Sequence, residues 1–240
     1  MKCIGLSFML FFLISISCSI EMEIPVYEVN YINKHYISLD GILDDDAWGE
    51  SKVLCDFFLP WEDNTPPLTI FQALYDSVNL YINFRTEDQN LVFKDSIDSE
   101  IDIASEDRVE LFLSKNTSME EYFCIEIDPL GRILDYMATY YRKFDDKWNI
   151  DGIQTASKIY SEGYQVEVAI PLNCIEKMGI DISRDFYVGL FRADFEKSVS
   201  GLKEHWLSWI ELKIPEPDFH VPDALGIFRF SKNAHEKEHL

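Results

Sequence analysis

Between His205 and Gly226 the chain reads HWLSWIELKIPEPDFHVPDALG, which places two tryptophans, a phenylalanine, two histidines and three prolines within 22 residues. Such side chains serve three kinds of chemistry: a ligand can stack on an aromatic face, a histidine can ligate a metal or haem, or the rings can simply fill a core. Strand geometry separates the tryptophans. If His205–Ile210 is extended, Trp206 and Ser208 face one way and Leu207 and Trp209 the other, so one tryptophan is expected in the core and the other on the opposite face. Phe219 and His220 fall in a proline-flanked loop, the kind of segment where binding residues concentrate. Arg192 and Asp194, in GLFRADF, share one side of a strand and read either as an ion pair or as the polar floor of a ligand site.

Other chemistries find less support. The run DGILDDDAWGE gathers Asp40, Asp44, Asp45, Asp46 and Glu50, hard oxygen ligands that could hold calcium. Its spacing is not that of an EF-hand loop, and Asp46 equally suits the start of a short helix. Haem would need a histidine or methionine facing a common pocket, for which His205, His220 and Met137 are the candidates; His35, His235 and His239 read as loop or tail residues. The chain has no C-x-x-C-H, so haem would be held non-covalently. No G-x-S-x-G, H-E-x-x-H or P-loop motif occurs. Glycoside hydrolysis needs two carboxylates at a set separation, and 43 acidic side chains single out no pair. No catalysis and no required cofactor are expected.

The net charge of −22 repels phosphate backbones and argues against nucleic-acid binding. At the start, one lysine precedes an apolar run from Ile4 to Ile16, too short to span a membrane and typical of a secretory signal over residues 1–17. The following SISC is similar to the lipobox of bacterial lipoproteins, with Ser15 where a branched apolar residue is usual. Cleavage there would leave Cys18 for lipidation, predicting export across the inner membrane and a lipid anchor in the outer membrane or periplasm. A soluble signal peptide cut nearby is the alternative. Cys55, Cys124 and Cys174 then remain, too few and too scattered for a disulfide framework.

The elements that must position these residues are strands. From Thr69 onward the hydrophobic period is two. LTIFQALYDSVNLYINFRTED reads as strands at 69–75 and 79–86 joined by a turn, DRVELFLS as an alternating strand, and EYFCIEIDPLGRILDYMAT as a hairpin turning at Asp128–Gly131. Further strands are expected near 36–39, 52–59, 153–160, 163–170, 186–194, 205–210 and 225–230. Short helices are expected at Asp45–Ser51 and Pro171–Met178. This pattern predicts an all-β fold: an antiparallel, jelly-roll-like β-sandwich over residues 35–231, preceded by a tether at 18–34 and followed by a charged tail at 232–240.

Taken in order, LDGILDDDAW, LYINFRTED, EDRVELFL, YFCIEIDPLGRI, GYQVEVAIPL, YVGLFRADF and DFHVPDALGIFRF resemble the family 9 carbohydrate-binding modules and the family-9-like domains of secreted bacterial proteins, across roughly residues 36–230. The resemblance implies a β-sandwich that binds sugar, often beside polysaccharide-degrading enzymes, and in many members structural calcium. Sugar-binding members clamp a terminal sugar between two tryptophans, whose positions here fall on about Ala104 and Phe219. The first ring is absent and the second altered. Sugar faces rich in C–H lie on aromatic rings while amides and charges bond the hydroxyls, so the candidates are Trp206 or Trp209, Phe219, His220 and Arg192. Glu110 joins them from the VELF position where the family places a polar contact, and Trp61, in LPWEDNTPP, is a further loop aromatic. The fold also resembles the DOMON domains, some of which bind haem. With Ala104 at the first clamp position, a third expectation is an interaction module that has lost sugar affinity.

Overall fold

The computed structural model describes residues 23–33, 36–199 and 201–231. The expected secretory leader, Cys18, the expected tail at 232–240 and His35, His235 and His239 lie outside the described residues.

Twelve strands follow one another: β1 (Val26–Tyr31), β2 (Thr69–Tyr75), β3 (Asn79–Glu87), β4 (Arg108–Ser114), β5 (Tyr122–Ile127), β6 (Ile133–Thr139), β7 (Lys143–Asp145), β8 (Gln154–Tyr160), β9 (Gly163–Pro171), β10 (Phe186–Ser198), β11 (Gly201–Ser208) and β12 (Gly226–Phe230). Among the described residues one α-helix, α1 (Leu172–Lys177), follows β9, and short 3₁₀ turns cover Asp46–Glu50, Glu100–Ser105 and Pro222–Ala224. Hydrogen bonding links the strands in the order β7-β6-β5-β4-β10-β12-β1-β2-β3-β9-β8, with β11 paired to β10.

This sheet corrects the expected architecture. It is a curled, mixed sheet forming a half-barrel, not two separate antiparallel layers. The cause is β1, which lies within the segment expected to be a tether. It runs parallel to β12, with Val26 opposite Ile227, and parallel to β2, with Tyr31 opposite Tyr75. β1 thereby joins the two halves that would otherwise face each other as independent sheets. Tyr27 and Val29 point from it into the core, both essentially inaccessible to solvent.

Alternation in the remaining strands supplies that core. Val109, Leu111 and Leu113 of β4 and Phe123, Ile125 and Ile127 of β5 meet Ile82 and Phe84 of β3 and Val166, Val168 and Ile170 of β9. The expected strand at 36–39 is irregular, and 52–59 contributes only two bridges, Leu54 to Phe71 and Phe58 to Ser208. Leu54 bonds one half of the sheet and Phe58 the other, so the segment crosses between them and cannot run along either. Cys124 and Cys174 are buried, Cys55 is exposed, and all three are free.

The outer faces are covered as well. On the β2–β3–β9 side, Trp48 packs over Leu74, Tyr81 and Ala169 and donates from Nε1 to Glu167. On the β4–β5–β6 side, Phe112, Tyr122, Cys124, Tyr136 and Phe191 form a second apolar layer beneath the loop that carries Leu212, Phe219 and Ala224. That loop stops short of the whole face and leaves a cleft.

Candidate functional site

The cleft has a volume of about 160 Å³ and is lined by Arg108, Glu110, Glu126, Arg142, Trp206, Pro217, Asp218, Phe219 and His220. Register explains why residues so distant in sequence converge there. Arg108 lies opposite Ala193, and Ala193 opposite Trp206. The small alanine between them lets the Arg108 guanidinium lie over the indole, 5.6 Å from the ring centroid. One step along the same face, Phe191, Glu110 and Glu126 sit in a row on β10, β4 and β5.

The floor is a buried charge network. Arg108 Nε donates to Glu126 Oε2 at 2.5 Å, and Arg108 Nη2 lies 3.0 Å from Glu110 Oε1, an ion-pair distance without hydrogen-bond geometry. Tyr136 Oη donates to the other Glu126 oxygen at 2.7 Å. Arg108 Nη1 donates to the carbonyl of Ala104 at 3.0 Å, which puts the exposed Ala104 at the rim of this cleft. Burial pushes the Glu110 carboxyl up to about 8, helped by Glu126 and opposed by Arg108. With Glu110 protonated at neutral pH and Arg108 paired to Glu126, the floor is locally balanced in charge inside a strongly acidic protein.

The walls come from a loop and a hairpin. His220 stacks obliquely on Phe112, its Nδ1 lies 3.0 Å from Tyr122 Oη, and burial, with Arg142 adding to it, lowers its pKa to about 4. Its imidazole is therefore neutral at physiological pH. Asp218 accepts from Arg142 Nη1 at 2.9 Å, from Tyr141 Oη and from the His220 amide, tying the β6–β7 hairpin to the 211–222 loop. Trp61 Nε1 donates to the Ile214 carbonyl at 2.9 Å and fastens the loop from its other side.

The residues singled out from sequence divide into three groups. Trp206, Glu110, His220 and Phe219 do converge on the cleft. Phe219, however, is only 5% exposed and lies face to face with Phe191 at 4.1 Å, so it backs the Trp206 ring without offering a face of its own. Trp209 belongs to the main core, and a β-carbon on Gly226 would overlap its ring. Arg192 is wholly buried on the opposite face of β10, where it donates to the carbonyl of Glu87 and to Thr69 Oγ1 and pairs with Asp88 and Asp194. Neither Trp209 nor Arg192 reaches the cleft. Sequence reading missed Arg108, Glu126, Arg142 and Asp218, whose shared location appears only once four strands, a hairpin and a loop are assembled.

The residues named for haem and for calcium take up separate places in the structure. Met137 packs toward the main core while His220 lies on the outer face of the same sheet, and His205 Nδ1 is engaged by Glu62 at 2.7 Å. These three do not share a pocket. The acidic run at 40–50 is also dispersed: Asp45 accepts from the Ser38 amide, Asp40 from the Ile42 amide. Among the described residues the carboxylates that gather are Asp88, Asp107 and Asp194, within 4.8 Å of one another. There Arg192 Nη2 already lies 3.4 Å from Asp88 and 3.2 Å from Asp194, and both Asp107 oxygens accept backbone amides of Val92 and Phe195. A guanidinium thus occupies the cationic role, and the donor set does not fit a divalent ion well.

A curled β-fold whose outer face carries a small aromatic and hydrogen-bonding cleft has the form of a ligand-binding module. Residues 39–232 match the carbohydrate family 9 binding domain-like family, and the chain belongs to it; the domains of this family are non-catalytic. No curated protein sequence is detectably similar. Among solved structures, the chain is similar to a Bacteroides uniformis protein of inferred carbohydrate binding, with a TM-score of 0.66 at 14% identity over 87% of this chain and all of the other. It is also similar to a family 9 carbohydrate-binding module of Caldicellulosiruptor kristjanssonii, solved with cellotriose (TM-score 0.59, 15% identity, 88% of this chain and 95% of that one). The same kind of module solved with glucose gives a TM-score of 0.57 at 17% identity, covering 88% and 97%.

Proposed function

We propose that this protein captures a neutral glycan in the Trp206 cleft without transforming it. The observation that carries the reading is the combination of one solvent-facing indole with a floor of Arg108, Glu110 and Glu126 whose charges are balanced. A sugar ring lies with its C–H face on Trp206. Its hydroxyls bond the protonated Glu110, the Arg108 and Arg142 guanidiniums, Asp218 and the neutral His220. The Arg108 guanidinium lying over the indole helps to fix its plane, so the platform is pre-organised. No cofactor enters the reading.

The sequence of the leader supports an exported protein lipidated at Cys18 and held at the outer membrane or in the periplasm, and the proposal extends to polysaccharide-degrading enzymes as partners. Mass spectrometry of the mature N-terminus tests the anchor. A glycan array probed with the folded protein, followed by titration of the wild type and Trp206→Ala, tests the binding. A hit weakened by that substitution supports the proposal, whereas a blank array from well-folded protein overturns it.

A second reading has its own observation. The two family clamp positions hold an exposed Ala104 and a Phe219 whose face is taken by Phe191. A cleft so altered would suit an interaction module that has given up sugar, and the blank array is the result that would favour it.

A further inference from the structure

Five aromatic side chains are more than a third exposed among the described residues, and three of them, Tyr140, Tyr141 and Phe144, fall at the β6–β7 hairpin, exposed by 47%, 51% and 49%. A hairpin tip of this length needs no aromatic residue for its own folding; turns are ordinarily built from glycine, asparagine and other small polar residues. Nor do these rings bury one another, since the contact between Tyr140 and Tyr141 is edge-on with centroids 5.4 Å apart. They represent apolar surface left in water beside the cleft.

The hairpin is also held in place. Arg142 and Tyr141 both bond Asp218, in the loop that forms the opposite cleft wall. Phe144 stands edge-on to Tyr136 at 5.4 Å and to His220 at 5.2 Å, and the Arg142 guanidinium lies 5.5 Å from its centroid. Two side chains that line the cleft, Arg142 and His220, are thus in direct contact with the first ring beyond it. Phe144 thus extends the aromatic surface beyond the cleft on the side away from Trp206, across the row β11-β10-β4-β5-β6-β7, with Tyr140 and Tyr141 at the tip of the same hairpin.

The size of the cleft gives this surface a role. At about 160 Å³ it is roughly half the ~300 Å³ at which pockets for whole small molecules begin, so it has room for little more than one sugar ring. The neighbouring unit of a longer chain must lie on the rim. Resting on the carbohydrate reading above, we infer that the β6–β7 hairpin is a second subsite, in which Tyr140 and Phe144 receive the next sugar of a glycan chain and Arg142 bonds hydroxyls between the two units. Tyr141, through Asp218, positions the hairpin. The ligand is then an oligosaccharide or polysaccharide of at least two units, and the absent aromatic at Ala104 is offset on the other side of the cleft.

The test is isothermal titration of the full mature protein with glucose and with β-1,4-linked glucose, xylose and mannose oligomers of two to six units, for wild type, Tyr140→Ala, Phe144→Ala and Trp206→Ala. Both hairpin side chains are half exposed, so the substitutions leave the fold intact, which circular dichroism melts verify. Affinity is expected to rise by about tenfold between one and two or three units, and each hairpin substitution to remove about three- to tenfold of it for oligomers only. Binding that is flat with chain length, or hairpin variants that bind every length like the wild type, overturns the second subsite while sparing the cleft. A roughly tenfold loss at every length in Trp206→Ala, with a length dependence intact in wild type, supports both. Wild-type protein that binds none of the oligomers overturns both.

Discussion

Arg108 and Glu126, on adjacent strands β4 and β5, share a hydrogen bond of 2.5 Å beneath the cleft with only about 6% of either side chain exposed. A buried pair is poor evidence of net stabilisation, yet breaking it leaves an uncompensated charge. Arg108→Met strands Glu126 and is expected to lower stability by about 3–5 kcal/mol, read as a shift of the urea midpoint at unchanged slope.

The two tryptophans of the 201–210 segment separate binding from folding. Trp209→Ala opens a hole in the main core and should cost about 3–5 kcal/mol. Trp206→Ala removes a partly exposed ring and should cost much less while reducing glycan affinity about tenfold. Quenching of intrinsic fluorescence by ligand is expected to vanish in Trp206→Phe and to persist in Trp209→Phe.

His220 makes stability pH-dependent in a predictable direction. Its pKa is about 4 when folded against an ordinary 6.5, so between those values the unfolded chain binds the extra proton. Stability contributed by the neutral ring is complete above pH 6.5 and is lost as pH falls through 4, by about 3 kcal/mol at most. His220→Gln should flatten that limb of the pH–stability curve.

Glu110 acts in the opposite sense. A folded pKa of about 8, raised from 4.5 by burial, means stability falls as pH rises from 4.5 through 8, where the buried carboxyl must give up its proton. Glu110→Gln removes this loss and should leave the protein more stable than wild type at pH 9, as thermal melts across the range will show.

Arg192 should behave as a structural residue. Arg192→Met leaves Asp88 and Asp194 unpaired on the inner side of β10 and is expected to cost about 3–5 kcal/mol. Glycan affinity of the protein that remains folded should be unchanged, because no atom of Arg192 reaches the cleft.

Much of this was legible in the sequence where a side chain's role follows from its own strand. The period-two reading placed β2 at 69–75 as observed, and put Trp206 and Trp209 on opposite faces, as β11 and its extension do. The strand β1 was hidden although VYEVNY alternates, because six residues next to a segment read as a leader and tether carry too little signal to announce parallel partners on both sides. Arg108 and Glu126 were illegible for another reason. A charged residue in a strand ordinarily marks a solvated face, and only the covering loop shows that these two are buried. Arg192 misled for the same cause, since alternation assigns a side but cannot say which side is the interior.

The double pairing of β1 also bears on when the fold can form. Its partner β12 begins at Gly226, some two hundred positions along the chain, and Val26 meets Ile227 across that interval. Closing so long a loop carries an entropic cost that only the finished native pairing returns. Closure of the sheet through β1 therefore has to wait for the last strand, and a chain that ends before Gly226 lacks the partner along which Val26–Val29 align.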